Sequence, residues 1–354
     1  MNKSILNLPH TRPLIAKQNH DGGRLPAKVA IIYTDEKREY FFTDEEFTTV
    51  EGSKDEALSF AKFFDKLGIQ TCFIAGNADM AKKLQKEKPD LALNLVTTVK
   101  GYDYLGATVP STLELLEIPY TGASILGFAI GSNKHLICTL LSAHGVNVPP
   151  FQLMTSPRTP LDPTLKFPLI LKLNEEHSNV EITRESVVEN EKELRKRLRY
   201  LIHKYEQDVL VSEFIDGREF ASFIFQAFNK KVYTVERQIH MSNNTTGHEF
   251  LDYDLCWGEE ANDENHLKYV KYKDPLLDSL VKKAYSITKM ASYGKFDIRM
   301  DRQGKYYFID ANANCHFGPD RNICELTDTL GNYGVPFKIL LKRLLQNTMR
   351  EWGY

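Results

Sequence analysis

The chain has 354 residues, 45 basic and 47 acidic side chains, and a formal net charge of -2. This near balance provides no overall field that would attract nucleic acid or a membrane surface, so neither is expected as a partner. The length allows a large buried core divided between two or three domains.

Signals for export and for disulfide bonding are missing from the sequence. No apolar run approaches the roughly 20 residues that a membrane span requires, and residues 1–10 lack the apolar region of a secretion signal. The five cysteines are odd in number and widely spaced, which favours a reducing compartment. We therefore expect a cytoplasmic protein. Cys315, His316 and Cys324 lack a fourth ligand and the usual spacing, so zinc is not expected.

The first third of the chain has a strand and helix pattern. Residues 1–27 are polar and irregular and are predicted to form an N-terminal extension. Residues 28–130 are predicted to form a parallel, doubly wound α/β domain. Its elements are a strand at 29–33, a helix with apolar residues at helical spacing between 57 and 67, and strands at 71–75 and 91–96.

Residues 131–218 are predicted to form a central α+β lid subdomain. It begins with a helix from Asn133 to Gly145 and continues with a strand at 169–173, a helix at 190–206 and a strand at 209–215. Five cations are predicted to lie on the outer face of the second helix and are interpreted as a solvated surface rather than an anion site. They are Lys192, Arg195, Lys196, Arg197 and Arg199.

Residues 219–354 are predicted to form a C-terminal core domain with an antiparallel sheet. Strands at 219–228 and 231–239 flank a tight turn at Asn229 and Lys230. The segment 240–265 has no periodicity and is predicted to be a lid or binding loop. The remaining predicted elements are a helix near 275–292, a hairpin at 295–314 and a terminal helix after Pro336.

The hairpin carries acidic and amide side chains within an apolar alternation. If Arg302 and Gln303 form its loop, residue 297 pairs with 308 and residue 295 with 310. Asp297 and Asp310 are then diagonal neighbours, roughly 7–8 Å apart. A three-residue loop would break this parity and stays open, as does an ordinary solvated edge hairpin. The face predicted to be shared holds Lys295, Asp297, Arg299, Asp310 and Asn312, whereas Ile298, Met300, Tyr307 and Ile309 take the other face.

The oxygen donors of this face predict a metal site. Two carboxylates, Asp297 and Asp310, and the amide of Asn312 are hard ligands. Such ligands suit Mg²⁺ or Mn²⁺ held together with phosphate oxygens, whereas Zn²⁺ prefers cysteine and histidine.

Four segments, in order, resemble one family. The hairpin, with Asp297-Ile-Arg-Met-Asp301 and Phe308-Ile-Asp-Ala-Asn312, resembles the metal-binding end of the ATP-grasp superfamily. The segments at 118–134, 167–172 and 208–219 resemble its D-alanine:D-alanine ligase-like branch, and the resemblance covers roughly residues 28–345. It implies an ATP-grasp fold of three domains, of mixed α/β (α+β) class, with ATP and Mg²⁺ (or Mn²⁺) as cofactors.

The resemblance also implies roles for individual side chains. Lys134 and Lys172 would contact the triphosphate, and Glu219 would accept hydrogen bonds from the ribose hydroxyls. Ser178 lies in a segment that matches the family's phosphate-covering loop, although Glu175, Glu176 and Glu181 make closure over an anion less favourable. We further hypothesise that Lys295 and Arg299 steady the reacting carboxylate and oxyanion and that Asn314 holds a substrate oxygen. The adenine edge would be bound by the backbone of Glu213, Phe214 and Ile215.

The sequence departs from the ligases where they bind substrate. Their glycine-rich turn after the first strand is absent, and Asp310 replaces a glutamate. Arg321, Lys295 and Cys256 stand where the ligases have a serine, an arginine and a lysine. The resemblance therefore implies ATP binding and acyl-phosphate chemistry but not the D-alanyl-D-alanine product.

These observations predict an ATP- and Mg²⁺-dependent carboxylate-amine ligase that forms an amide through an acyl phosphate. Its expected partners are a small-molecule carboxylate and a small-molecule amine, with a carrier-protein-bound acyl group left open in place of the acid. The resemblance also suggests a homodimer. Two alternatives remain: an ATP-binding regulatory protein without turnover, and an ATP-grasp kinase of a small metabolite.

Overall fold

The computed structural model describes residues 24–226, 230–240, 247–258, 261, 266–319 and 325–354. Of the predicted N-terminal extension, residues 1–23 lie outside this range, as do Arg321, Cys324 and Asn229 of the predicted turn. The described chain is of mixed α/β class, as expected, and forms three sheets.

The first sheet is parallel and has the order β2-β1-β3-β4. Its central strand is a continuous apolar run whose residues Val29 to Ile32 are fully buried, because helices cover both faces of a parallel sheet. The predicted doubly wound arrangement is therefore confirmed. Its strands are β1 (Lys28–Tyr33), β2 (Gln70–Ala75), β3 (Leu91–Asn94) and β4 (Tyr120–Thr121).

Seven α-helices lie between residues 44 and 143 of the described chain. The helix expected between 57 and 67 is divided at Phe60, whose amide donates to the carbonyl of Ala57 and tightens the turn there. The helices are α1 (Asp44–Thr48), α2 (Ser53–Ser59), α3 (Ala61–Asp65), α4 (Met80–Glu87), α5 (Thr108–Leu115), α6 (Ile125–Gly131) and α7 (Lys134–Ala143).

The second sheet is antiparallel and has the order β5-β8-β6-β7. One long helix packs on it through Leu194, Leu198 and Leu201. Asn190 caps the start of this helix, because its side chain accepts from the amide of Glu193. The elements are β5 (Phe151–Met154), β6 (Leu169–Leu173), β7 (Val187–Val188), α8 (Glu191–Tyr205) and β8 (Val209–Glu213).

The third sheet is antiparallel, as expected, and has the order β11-β10-β9-β12-β13. Its strands are β9 (Gly217–Phe225), β10 (Lys231–Ile239), β11 (Leu267–Tyr272), β12 (Tyr293–Asp301) and β13 (Tyr306–Asn312). The helices of this region are α9 (Tyr253–Trp257), α10 (Pro275–Ile287), α11 (Glu325–Asn332) and α12 (Phe337–Glu351).

The two faces of the third sheet differ in character. One face is largely apolar and packs Phe220, Phe296 and Ile298 against α7 and α10. The other face is apolar at one end, where Tyr293 and Phe225 meet α12 and the first part of the chain. At its other end, the same face carries charged side chains. This charged end forms the candidate active site described below.

The helices α6 and α7 lie on either side of the predicted division of the chain at 130 and 131. Phe128 of α6 and Ile137 and Leu141 of α7 lie in one apolar cluster with the third sheet, not with the second. Their apolar side chains explain this placement, because the nearest large apolar surface belongs to α10 and β13. The domain boundaries themselves stay a prediction.

The hairpin of β12 and β13 does not have the predicted register. The amide of Asp301 donates to the carbonyl of Lys305, so the loop has three residues, and Gly304 adopts a positive φ of 83° within it. Asp297 pairs with Asp310, whereas Ile298 pairs with Phe308, so Ile309 is the extra residue of a β-bulge.

The bulge shifts the alternation of β13 by one residue and so compensates for the longer loop. Tyr306, Phe308 and Ala311 lie on the apolar face, which corrects the assignment of Tyr307 and Ile309 to it. Asp310 and Asn312 come to the face of Lys295, Asp297 and Arg299, as the sequence predicted. The carboxylates of Asp297 and Asp310 are directly opposite rather than diagonal, with their Cβ atoms roughly 5 Å apart.

The segment predicted to be a long loop contains a short helix. Asp252 accepts a hydrogen bond from the amide of Leu255 and thereby caps α9. Residues 241–246, 259–260 and 262–265 of this segment lie outside the described range. Among the described residues, no single helix is long and apolar enough to cross a membrane; α6 and α7 meet the test only together, and they are bent by 104°.

Candidate active site

A cavity of about 1190 Å³ lies between the three sheets. The β12–β13 hairpin and β9 supply one wall, the end of β8 and the segment after β6 supply a second wall, and the first part of the chain supplies a third with Glu46 and Asp103. The cavity brings together all the predicted site residues except Lys134. They are Lys172, Ser178, Glu213, Phe214, Ile215, Glu219, Lys295, Asp297, Arg299, Asp310, Asn312 and Asn314.

The side chains of Asp297, Asp310 and Asn312 fit a divalent cation. Asp297 and Asp310 are directly opposite each other in the strand pairing, and the amide of Asn312 lies next to Asp297. Burial raises the pKa of Asp310, but the charges of Lys134, His177 and Lys172 outweigh burial and lower it to about 2. Asp310 is therefore ionised at neutral pH, as a metal ligand must be. Hard oxygen donors of this kind suit Mg²⁺ or Mn²⁺.

Asp297 is already engaged by neighbouring side chains. Its Oδ1 atom accepts from Nη2 of Arg237 at 2.7 Å and lies 3.3 Å from Nζ of Lys295. Its Oδ2 atom accepts from Nδ2 of Asn312 at 3.3 Å. Asp297 thus turns its Oδ2 oxygen toward the amide of Asn312, whereas its Oδ1 oxygen faces Arg237 and Lys295.

Sequence reasoning missed Arg237, the side chain with the most ionic partners in the site. It is 4% exposed and reaches Glu219 at 3.0 Å and Glu325 at 2.7 Å in addition to Asp297. The available signal was its position in β10, where Tyr233, Val235 and Ile239 occupy the neighbouring inward positions. Glu325 was also missed, because it begins α11 far along the chain from the hairpin.

Arg299 lies on the predicted face, where several contacts hold its guanidinium. Its Nη1 atom binds Glu219 at 2.7 Å, and Nη2 donates to the carbonyls of Gly217 and Glu249 at 3.1 and 3.0 Å. The guanidinium also lies 4.7 Å from the ring centre of Phe214. These contacts hold Arg299 beside Glu219, and its role toward a reacting group stays a prediction.

Glu219 is buried and receives one arginine on each carboxylate oxygen, Arg237 on Oε1 and Arg299 on Oε2. These contacts fix the direction of the carboxylate within the cavity wall. A carboxylate oxygen can accept more than one hydrogen bond, so the arginines leave capacity for a ligand hydroxyl. The ribose contact of Glu219 stays a prediction.

The two predicted phosphate lysines have different surroundings. Lys172 lines the cavity, and its Nζ donates to the carbonyl of the bulged Ile309 at 3.4 Å. Lys134 is buried and donates to the carbonyl of Glu176. It lies in a small adjoining pocket, whose wall also includes Lys172 and Asp310. Lys134 therefore acts on the site through its charge, and direct phosphate contact requires Glu176 to move.

The predicted phosphate loop rests on α9. The carbonyl of Ser178 accepts from Nε1 of Trp257 at 2.8 Å, and Nδ2 of Asn179 donates to Sγ of Cys256 at 3.1 Å. Both loop residues have positive φ values, 57° and 60°. Burial raises the pKa of Cys256 to about 12, so the thiol adds no charge where the ligases have a lysine.

The acidic residues of this loop oppose an anion less than the sequence suggested. Glu181 turns away from the cavity toward α8, where it pairs with Arg197 at 2.9 Å and Lys204 at 2.6 Å. Burial, followed by the charges of Asp103 and Glu46, raises the pKa of Glu176 to about 8, so Glu176 is mostly neutral at pH 7. Arg197 is therefore a buried partner of Glu181, which corrects its placement on a solvated face.

At the strand end predicted to bind adenine, two backbone amides already donate hydrogen bonds within the protein. The amide of Glu213 donates to Pro150 and the amide of Phe214 to Pro168, both at 2.9 Å. The side chain of Glu213 accepts from the amide of Lys166. Neither amide can therefore donate to a purine, and the prediction narrows to the carbonyl groups and the backbone of Ile215.

Asn314 fixes the hairpin to the first sheet. Its Nδ2 donates to the carbonyls of Val96 at 2.7 Å and Asn94 at 3.4 Å, and its Oδ1 accepts from the amide of Ala123 and the hydroxyl of Tyr293. These contacts use both donors and both acceptor positions of the amide. The contact of Asn314 with a substrate oxygen stays a prediction, and it would have to replace one of these hydrogen bonds.

Comparisons with known proteins identify the family of the chain. Residues 140–346 match the family described as D-ala D-ala ligase C-terminus. The D-alanine–D-alanine ligase of Halorhodospira halophila is 26% identical over 265 residues, which are 71% of this chain and 81% of that protein. The uncharacterised protein y4sG of Sinorhizobium fredii is 24% identical over 268 residues, 70% of this chain and 74% of that protein.

A solved structure shares the fold. The D-alanine–D-alanine ligase of Bacillus anthracis complexed with ATP superposes with a TM-score of 0.69 at 18% identity, covering 92% of this chain and 98% of that one. The family match spans more than half of the chain, and the three sheets correspond to the ATP-grasp arrangement. The chain therefore belongs to the D-ala D-ala ligase C-terminus family and is an ATP-grasp, D-alanine:D-alanine ligase-like protein.

Proposed function

We propose that the protein is an ATP- and Mg²⁺-dependent ligase that joins a carboxylate and an amine through an acyl phosphate. The observation that carries this proposal is the pair of opposed carboxylates, Asp297 and Asp310, in a cavity that also contains Lys172 and Glu219. Cys256, Lys295 and Arg321 stand where the ligases have a lysine, an arginine and a serine. These differences favour substrates other than two molecules of D-alanine.

The charges of the site suit transfer of a phosphoryl group. Such a reaction is accelerated mainly by fixed charges that surround the transferred group. Lys172 would hold a phosphate oxygen, while Asp297, Asp310 and Asn312 would hold the metal. When bound, Mg²⁺ would offset the negative charge on the phosphates. Glu219 would orient the nucleotide through its ribose.

Lys295 is the cation on this face that is best placed to act on the acyl phosphate. Burial lowers its pKa, but Asp297 and Glu325 outweigh burial and raise the pKa above its usual value. The ammonium group is therefore charged at all physiological pH values. It would stabilise the oxyanion that forms when the amine attacks, and Ser178 would bind the phosphate from the opposite wall.

An ADP-release screen tests the proposal. Amino acids, small dipeptides, hydroxy acids and acylated carrier protein are crossed as acid and amine, with D-alanine included, and products are identified by mass. We expect release of ADP that requires both an acid and an amine, and an amide product. Tight ATP binding without turnover across the panel would favour the regulatory alternative, and a phosphorylated product formed without an amine would favour the kinase.

The homodimer, the carrier-bound acyl group and the division into domains at 28–130, 131–218 and 219–354 remain parts of this proposal. Sedimentation of the full chain tests for the homodimer. The acylated carrier protein in the screen tests for the carrier-bound acyl group.

A further inference from the structure

Arg237 lies at the centre of three carboxylates on the charged face of the third sheet. Its guanidinium is 2.7 Å from Asp297, 2.7 Å from Glu325 and 3.0 Å from Glu219, and these partners come from β12, α11 and β9. Arg237 is 4% exposed, so these ion pairs are poorly screened by solvent. Its removal would leave three carboxylates short of a partner.

The cluster around Arg237 is balanced without a metal. Two further cations complete it: Arg299 binds Glu219 at 2.7 Å, and Lys295 lies 3.3 Å from both Asp297 and Glu325. Three carboxylates therefore face three cations. We call this set of Glu219, Asp297, Glu325, Arg237, Arg299 and Lys295 the ionic cluster.

A divalent cation would bind at the edge of this balanced set. Its ligand Asp297 belongs to the ionic cluster, whereas the opposite ligand, Asp310, faces the charges of Lys134 and Lys172. A metal arriving alone would add two positive charges beside cations that already offset both carboxylates. Like charges within several ångströms repel strongly when solvent is excluded.

We propose that Arg237 and Glu325 are positioning residues that set the charge of the metal site, so that a divalent cation binds only together with a triphosphate. Arg237 holds Oδ1 of Asp297 and leaves Oδ2 for the metal. Glu325 holds Arg237 and Lys295 in the cluster and limits their positive charge. The carboxylates of the ionic cluster are already neutralised by its cations. The triphosphate supplies the additional negative charge that the metal needs. This inference rests on the proposed function, because it takes Asp297, Asp310 and Asn312 as the metal ligands.

Binding of Mn²⁺ to the full-length protein, followed by electron paramagnetic resonance of the unbound ion, tests this inference without turnover. The titration is made without nucleotide and with a non-hydrolysable ATP analogue. The variants are Arg237→Met, Glu325→Gln and the double variant. Arg218→Met is the matched control, because Arg218 makes an ion pair with Glu236 on the same sheet but does not line the cavity.

The unmodified protein should bind Mn²⁺ with the analogue and not without it. Arg237→Met removes one positive charge and should raise the affinity for Mn²⁺ alone by roughly tenfold or more. Glu325→Gln removes one negative charge and should weaken Mn²⁺ binding in the presence of the analogue. The double variant restores the balance and should again require nucleotide, and Arg218→Met should behave as the unmodified protein does.

Equal Mn²⁺ affinity with and without the analogue in the unmodified protein would overturn the inference and leave the proposed ligase function intact. Unchanged binding by both Arg237→Met and Glu325→Gln would do the same. If Arg237→Met fails to fold, as judged by circular dichroism, Glu325→Gln and the double variant decide the question. Absence of Mn²⁺ binding even with the analogue would contradict the metal site and, with it, both proposals.

Discussion

The β12–β13 hairpin and the loop at 175–182 reach the same cavity in opposite ways. The hairpin of β12 and β13 is held by a ladder of backbone hydrogen bonds, so the positions of Asp297 and Asp310 follow from strand pairing. The loop at 175–182 has no such ladder, and its residues are held from outside by α8 and α9. A strand carries its site residues by local geometry, whereas a loop needs anchors elsewhere in the molecule.

The largest effect should follow from substitution of the hairpin carboxylates. Asp297→Asn and Asp310→Asn each remove a charge from the metal site, and either change should lower the rate of ADP release by about 10²-fold or more. The measurement is steady-state turnover with the best substrate pair from the screen. Asp216→Asn, on an exposed pair with Arg302, is the control and should keep its rate. A full rate in both site variants would rule out this metal site.

Breaking the loop's anchor should instead lower stability. Glu181 accepts from Arg197, Tyr200, Lys204 and Tyr205, and Glu181→Ala leaves the buried Arg197 without its carboxylate. The free energy of unfolding should fall by about 3 kcal/mol, measured by urea denaturation. The KM for ATP should rise as the loop loosens. Glu185→Ala, on a nearby exposed residue, should change neither quantity, and a stable Glu181→Ala protein with an unaltered KM would refute the anchor.

Asn314→Ala tests whether the hairpin also needs a contact outside its own strands, because it removes the contact between the hairpin and the first sheet. Loss of the hydrogen bonds to Val96 and Asn94 should lower the free energy of unfolding by about 2 kcal/mol. Substrate KM values should stay close to those of the unmodified protein. A selective rise in one substrate KM at unchanged stability would instead support a direct substrate contact.

The last prediction concerns the pH dependence of stability. The pKa of Glu176 is about 8 in the folded protein and lies above its unfolded value, so folding favours the protonated carboxyl. The stability that this group contributes is fully present below the unfolded pKa and is lost as pH rises toward 8, by at most about 1.4 kcal/mol per pH unit. Glu176→Gln should flatten this slope in urea denaturation between pH 5 and 8. Glu175→Gln, on an exposed neighbour, should leave the slope unchanged.

Several features of the fold and site follow from local patterns. The buried run at 29–32 predicted a parallel strand, and the alternation at 295–299 predicted which hairpin residues share a face. Both predictions succeed because side-chain direction along a strand has a period of two, whatever the strand pairs with. Asn133 and Asn190 similarly start helices by capping them, which is a contact within one turn.

The contacts that the sequence did not predict involve partners outside the local segment. Arg299 turned toward Glu219, Asn314 toward the first sheet, and Arg197 toward Glu181, and in each case the partner could not be identified from spacing. Arg237 and Glu325 were missed for the same reason. A side chain's neighbours on its own strand are fixed by sequence, but its ionic partners are fixed by the packing of separate elements.

The sequence by itself determined the family, the order of the elements and the face of the hairpin that carries Asp297 and Asp310. Only the tertiary structure decided the register of that hairpin, through the bulge at Ile309, and the partners that hold each charge. The physical reason is that periodicity is a property of one segment. Charge balance and strand register instead depend on the free energy of all the elements that meet at the cavity.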